Sequence, residues 1–141
     1  MTDTINLIAG GIHHDTRGAI EFVNEFDMAQ VKRFYIIKHN DVETLRGWRA
    51  HRIEQRWFYV LNGGFRVQLV KIDNWNSPSR NLPLKEQILT EATKEVLHIP
   101  AGYATCLKAL EEGSRLLVFA DFGIDHANND NYLYPTDYFI L

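Results

Sequence analysis

The chain has 141 residues, an apolar share of 45% and a formal net charge of -3, which suits one globular domain spanning residues 1–141 with a hydrophobic core. Its lysines and arginines are scattered and its pI is near 6.0, so composition argues against nucleic acid or an anionic membrane as partner. No stretch approaches the ~20 apolar residues of a membrane helix, and MTDTINLIAGGIHHD has neither the basic region nor the apolar run of a signal peptide, which together lead us to expect a cytoplasmic protein.

In chain order, short segments rich in β-branched and aromatic residues predict strands over Ala19–Glu25, Val31–Lys38, Gly47–His51, Trp57–Leu61, Phe65–Ile72, Glu86–Thr90, Glu95–Ile99, Ala104–Leu110 and Arg115–Ala120. Nine short strands with single turns between them, and no repeat or linker, describe an all-β sandwich or barrel. In RGWRAH, residues 46 to 51, the two-residue period puts Trp48 and Ala50 on one face and Arg49 and His51 on the other. Asn62-Gly63-Gly64 separates WFYVL from FRVQLVKI, and Asn-Gly supplies the positive φ of a tight turn, so a β-hairpin is expected there. Within the second strand Phe65, Val67 and Leu69 alternate with Arg66 and Gln68, one buried face against one wetter face. Residues Asp73 to Leu84 carry Asn, Ser and Pro and read as a surface loop, with Trp75 as its anchor. Pro100 and Gly102 follow KEVLHI directly, a tight reversal that returns the next strand across the sheet, and the two junctions together suggest a jelly roll. The single cysteine, Cys106, lies in an apolar segment with no second thiol to pair with, and an inert buried thiol is expected.

The order of DTRGAIEFVNEF, VKRFYII, RGWRAHRIEQRWFYVLNGGFRV, VLHIPAGYA and LVFADF, over residues 12–139, resembles the small cupins that act on nucleotide-linked keto-sugars. It is similar to the dTDP-keto-hexose 3,4-isomerases, with RGxHAH after KRxYYI. More distantly it resembles the dTDP-4-dehydrorhamnose 3,5-epimerases, with RGxHxQ and IPxGxAH. The resemblance implies an all-β, cupin-type jelly-roll barrel (a double-stranded β-helix) and an isomerase or epimerase of cell-surface polysaccharide synthesis. It also implies a nucleotide-diphospho keto-sugar, most simply dTDP-linked, as ligand. A homodimer is expected from it too, with N-terminal strands pairing across a two-fold axis over the apolar run Ile20 to Phe26.

Matched residue by residue, Tyr35 takes the first tyrosine of the KRxYYI segment, Arg46 and Gly47 take the RG, and His51 takes the second histidine of HAH. Arg49 stands where the first histidine belongs, and Thr105 replaces the histidine of IPxGxAH. A guanidinium stays protonated and cannot act as a general base. With Arg49, Thr105 and Gln55 at places where a metal-binding cupin needs ligands, and with His13, His14, His39, His98 and His126 at no resolvable ligand spacing, no metal is expected. Moving a carbonyl along a sugar needs acid-base chemistry and oxyanion stabilisation but no redox cofactor, so none is expected either.

The expected catalytic residues are therefore His51 as proton shuttle, Tyr35 as oxyanion donor and Arg49. The last is open between three readings: a charge serving the enediolate or a phosphate, a sign that only binding was kept, or a surface arginine paired with Glu54 or Glu43. By resemblance Arg46 holds the diphosphate, and Arg33, Asp121, Asn129, Asp130 and Tyr132 complete the expected substrate contacts. Asp121 also reads as a turn-forming carboxylate or as a group orienting an imidazole. If the enzyme reading fails, the alternative is a catalytically silent sugar-nucleotide-binding module of the same fold.

Overall fold

A computed structural model describes residues 4–139, apart from the side chain of Ala127. The strands are β1 (Asn6–Ala9), β2 (Gly11–Asp15), β3 (Gly18–Phe22), β4 (Arg33–Lys38), β5 (Leu45–His51), β6 (Arg56–Asn62), β7 (Gly64–Lys71), β8 (Leu84–Thr90), β9 (Glu95–Ile99), β10 (Tyr103–Ala109), β11 (Arg115–Ala120) and β12 (Tyr132–Leu133). A one-turn helix, α1 (Ile124–Ala127), and a 3₁₀ turn over Asn128–Asp130 precede β12. Two five-stranded antiparallel sheets, ordered β1-β9-β6-β11-β4 and β12-β5-β10-β7-β8, face each other, and β2-β3 forms a separate hairpin. The all-β jelly-roll expectation holds, and the nine expected strands correspond to β3 through β11.

The missed strands are β1, β2 and β12. In β2 and β3 almost every residue is exposed, so no buried face imposes an alternating pattern, and β12 is only two residues long.

The Asn62-Gly63-Gly64 turn is sharp, with Gly63 at φ 72°, but it does not close a hairpin. β6 pairs with β9 and β11, whereas β7 pairs with β8 and β10 in the opposite sheet. The turn is a corner between sheets, buttressed from the β10–β11 connection: Asn62 Nδ2 donates to the Gly113 carbonyl (2.9 Å) and Gly64 N–H donates to Ser114 Oγ (3.1 Å). Period-two alternation marks an inward face in either arrangement, so it does not distinguish the two. The Pro100–Gly102 reversal is also a corner, carrying the chain from β9 in one sheet to β10 in the other. Gly102, at φ 97°, donates to the His51 carbonyl (2.8 Å) and accepts from Ile72 N–H (2.9 Å), stitching the ends of β5 and β7 together.

Between the sheets Phe58, Val60, Phe65, Val67, Leu69, Leu97 and Leu116 form a dry core, each such side chain contributing about 1.5–3 kcal/mol by leaving water. A second apolar layer lies outside the other sheet, where Trp48, Ala50, Val70, Ile72, Ala104 and Cys106 are covered by Phe139 and by the Tyr132–Tyr138 segment. Trp48 explains why that segment docks: its Nε1–H donates to the Thr136 carbonyl (3.1 Å), and its backbone exchanges two hydrogen bonds with Tyr134 (2.9 and 3.0 Å). Cys106 is buried there, with its thiol pushed up by burial, as an inert thiol should be. Trp75 folds its loop onto Tyr132, with ring centroids 4.8 Å apart.

Trp48 and Ala50 thus face outward into this layer, which turns Arg49 and His51 inward. The sheet closes tightly at Gly47, where an added Cβ would lie 2.7 Å from Cys106 Cα and from the Thr105 carbonyl oxygen. Both obstacles are backbone and have nowhere to move. Gly47→Ala is therefore expected to lower stability by about 1–3 kcal/mol, the usual cost of overpacking, measured by urea denaturation.

Candidate active site

The open edge of the barrel lies between β4 of one sheet and β5 with β12 of the other. A cavity of about 400 Å³ occupies it, lined among others by Tyr35, Lys38, Arg46, Arg49, Arg56 and Thr105. A second recess of about 280 Å³, lined by Arg33, Tyr35, Arg49, His51, Ile124, Asn128 and Asn131, shares Tyr35 and Arg49 with the first. Arg46 and Arg49 are three residues apart, so strict alternation would place them on opposite faces. The register of β5 against β10 slips between Thr105 and Leu107, opposite this stretch, and both guanidinium groups line the same cavity.

His51 is buried, and its Nδ1 lies 2.6 Å from the backbone carbonyl of Asp130. A carbonyl only accepts, so Nδ1 carries the proton and Nε2 keeps its lone pair in the neutral ring. Burial, followed by the nearby Arg56, pushes this imidazole down to about 3; Arg49 and Arg33 act in the same direction, while the Asp130 hydrogen bond opposes them. At neutral pH the ring is thus an uncharged acceptor. Tyr35 stands on the facing strand, with the Arg33 guanidinium 5.0 Å from its ring centre.

The arginines are held by different means. Arg46 Nε–H donates to His39 Nε2 (3.1 Å), which requires a neutral His39; burial and then Arg46 itself hold that imidazole below its usual range. Arg33 donates to the Phe122 carbonyl (3.1 Å) and to Glu54 Oε1 (3.2 Å). Arg56 is only 4% exposed, with Nη1 donating to Thr105 Oγ1 (3.2 Å) and its guanidinium 5.4 Å from the Phe58 ring centre. Sequence reasoning missed Arg56. Its signal was positional, because Arg56, Phe58 and Val60 share the inward face of β6, and a charge on a core face is rarely idle.

Several sequence expectations need correction. Glu54 is not a solvated partner for Arg49; it is 1% exposed and pairs with Arg33. Asp130 is not free for a ligand, since its carboxylate accepts the backbone N–H groups of Arg52, Ile53 and Glu54 at 2.8–3.1 Å. Asp121 is likewise engaged, by the backbone (2.7 Å) and side-chain amide (3.1 Å) of Gln55, whose Oε1 meets His98 Nε2 at 2.8 Å. Tyr132 belongs to the outer apolar layer, and Asn129 lines neither cavity, although Asn128 and Asn131 line the second. The structure therefore gathers Arg33, Tyr35, Arg46, Arg49 and His51 and sets Asp121, Asn129, Asp130 and Tyr132 apart. Among the described residues no group of three or more His, Cys, Asp or Glu is placed to hold a metal ion, and no helix is long and apolar enough to cross a membrane.

A jelly roll of two facing sheets, with a basic cavity at its open edge, is a barrel of the cupin class. The family model FdtA, WxcM-like, C-terminal, matches residues 3–140, and the chain belongs to that family. No curated protein matches it by sequence. Among solved structures it is similar to the sugar 3,4-ketoisomerase QdtA from Thermoanaerobacterium thermosaccharolyticum in complex with TDP (TM-score 0.73, 22% identity, 98% of this chain and 93% of that one). It is also similar to a 3,4-ketoisomerase from Helicobacter canadensis (0.71, 19%, 91% and 89%). A third is the dTDP-4-dehydrorhamnose 3,5-epimerase from Sulfolobus tokodaii (0.77, 20%, 97% and 80%). At these identities the likeness is one of fold.

The Asp130 clamp generates a prediction. Asp130→Ala strips the acceptors from three backbone N–H groups beside His51, at about 1–3 kcal/mol for the buried Glu54 donor and less for the part-buried Arg52 and Ile53 donors. A loss of at least about 2 kcal/mol in chemical denaturation is expected, and an unchanged midpoint would show that water replaces the carboxylate freely.

Proposed function

We propose that this chain is an isomerase or epimerase of a nucleotide-diphospho keto-sugar, with dTDP as the favoured nucleotide. The observation that carries the reading is the pair of adjoining recesses: Arg46 and Arg56 line one, Arg33 and the neutral His51 line the other, and Arg49 and the Tyr35 phenol line both, in a protein of net charge -3. Such a cavity suits a dianionic ligand and a reaction in which negative charge develops. Membership of the family supports it, as do solved complexes of QdtA with TDP and with TDP-4-keto-6-deoxyglucose.

In this reading His51 removes the proton from the carbon next to the keto group, and the bond electrons move onto the carbonyl oxygen to give an enediolate. Arg56, with Arg49 and the Tyr35 hydroxyl, stabilises that oxyanion, and Arg46 binds the diphosphate. A keto shift is completed when the proton is delivered to the former carbonyl carbon while the neighbouring hydroxyl passes its proton to the former carbonyl oxygen; an epimerisation is completed when a second donor protonates the original carbon from the opposite face. Arg49, exposed at the wall common to both recesses, supplies fixed charge where the resembling isomerases carry a histidine. That replacement also favours the second reading, a binding module that no longer turns its ligand over.

Incubation with dTDP-, GDP- and UDP-linked 4-keto sugars in deuterium oxide separates the two. Deuterium at the carbon beside the carbonyl, with a new product, is expected; tight calorimetric binding with neither would leave only the module. His51→Asn should cost at least roughly a hundredfold in turnover, as for a lost general base. Arg49→Met should cost about 2.7–4 kcal/mol of transition-state stabilisation, and Arg49→Lys a good part of it, because an ammonium lacks the planar fork.

The same reading includes a homodimer. Phe34 (64% exposed) and Ile36 (46%) on β4, with Ile20 and Phe22 on β3, leave apolar surface uncovered, while Phe26 already packs on Trp57 and Phe119 of its own chain. Light scattering at micromolar concentration should give twice the chain mass, and a monomer would reject this part of the proposal.

A further inference from the structure

β4 carries its two-residue alternation past its end at Lys38. Arg33, Tyr35 and Ile37 face inward, and two residues further on His39 does the same and is 4% exposed. Its backbone is pinned to the β10–β11 connection: the N–H of His39 donates to the Ser114 carbonyl (3.0 Å) and its carbonyl accepts from Gly113 N–H (2.8 Å). From β7 the Phe65 ring meets the imidazole nearly at right angles, with centroids 5.3 Å apart. Two charged groups bear on the ring, Arg46 from β5 and Asp41 from the β4–β5 connection, and the Asp41 carboxylate is itself engaged by Glu43 N–H and by Thr44.

One nitrogen of this ring has a partner and the other does not. Nε2 accepts from Arg46 Nε–H at 3.1 Å, so the proton of the neutral ring sits on Nδ1, which is buried and meets no acceptor. A buried N–H without an acceptor is unfavourable, and a purely apolar ring would fill the same space against Phe65 without that cost. What the imidazole adds is one acceptor for Arg46. Arg46 is otherwise an exposed side chain on a long stem, and among the described residues no hydrogen bond or ion pair engages its terminal nitrogens. Holding Nε leaves the two Nη groups, a planar pair of donors, in the wall of the cavity of about 400 Å³.

We propose that His39 is a positioning residue of this site: it holds Arg46 by Nε so that both Nη groups are presented, already oriented, to the diphosphate of the ligand. The inference rests on the nucleotide-sugar reading for the identity of that anion and goes beyond it in assigning His39. An unrestrained arginine loses its side-chain freedom on binding, and that loss subtracts from affinity; an arginine already held by a buried acceptor has less to lose. The contact also fixes the state that the ring needs. An imidazolium would set N–H against N–H across 3.1 Å, whereas burial and then Arg46 keep the ring neutral, with Asp41 pulling the other way.

The test is calorimetric binding of thymidine diphosphate at neutral pH to wild type, His39→Phe, His39→Gln, Arg46→Met and the double variant carrying both His39→Phe and Arg46→Met. The first substitution keeps a ring against Phe65 but offers no acceptor, and the second sets an amide oxygen near the place of Nε2. Affinity is expected to fall about three- to tenfold in His39→Phe, the scale of ordering one long side chain, and to stay within about twofold of wild type in His39→Gln. In the Arg46→Met background His39→Phe should have no further effect, which separates action through Arg46 from a general structural role. Wild-type affinity in His39→Phe, or an equal loss in both backgrounds, would overturn the proposal. In ligand-free protein, nitrogen-15 spectra should show His39 protonated at Nδ1 alone, and an Arg46 Nε–H whose exchange with water quickens in His39→Phe. An Nε2–H tautomer, an imidazolium at neutral pH or an unchanged exchange rate also overturns it. Should Arg46→Met bind as well as wild type, Arg46 does not serve the anion and the proposal falls while the nucleotide-sugar reading stands. If wild type binds no thymidine diphosphate, it is that reading which fails, and the ligand-free spectra still decide whether His39 holds Arg46. Should His39→Phe not fold, His39→Gln and the wild-type spectra decide by the same criteria.

Discussion

The site hangs on one residue in the C-terminal third of the chain. Asp130 uses its carboxylate to collect the N–H groups of Arg52, Ile53 and Glu54, and its own carbonyl to take the Nδ1 proton of His51. Those contacts cap the end of β5, set which ring nitrogen lacks a hydrogen bond and place Glu54 Oε2 3.6 Å from that nitrogen. They also draw the 3₁₀ turn and β12 against β5, so that the outer aromatic layer around Trp48 can form. A buried carboxylate facing several N–H donors is stable because each donor would otherwise be desolvated without a partner.

Electrostatics give the cavity its character against the sign of the whole molecule. Buried Arg56 keeps its charge in a dry wall with a hydroxyl and an aromatic face for company, and Arg33 is the arginine of the site seen to hold a carboxylate. Desolvating a guanidinium without full pairing is unfavourable, and Tyr35, Glu54 and Asp130 offset part of that cost for Arg56. The cations that would bind a diphosphate in the proposed reading also hold His51 in its neutral form. On that reading binding and basicity are linked, because an anion that neutralises the arginines removes part of what keeps the imidazole from accepting a proton.

Much of this was legible in the chain. The period of two in Phe65 to Leu69 and in Trp48 to His51 correctly assigned buried and cavity faces, because side-chain direction in a strand is a local property, while Arg46 departs from it where the register slips. Motif order alone brought out Tyr35, Arg46, Arg49 and His51, residues on strands whose inward faces meet. Tertiary structure decided what depends on partners distant in sequence. Asn62-Gly63-Gly64 looked like a hairpin because a tight turn specifies only local dihedrals, and whether its flanking strands pair or part depends on Ser114 and Gly113 fifty residues away. Asp130 looked like a ligand contact because a carboxylate in a polar tail is usually solvated, and Glu54 looked like a surface charge for the same reason. Their burial follows from the fold of the C-terminal segment over β5. The sequence by itself determined the fold class and the inward strand faces, which are written in local periodicity; only the tertiary structure decided which charges are buried, which are paired and which nitrogen of His51 is left open, because desolvation is a property of the assembled neighbourhood.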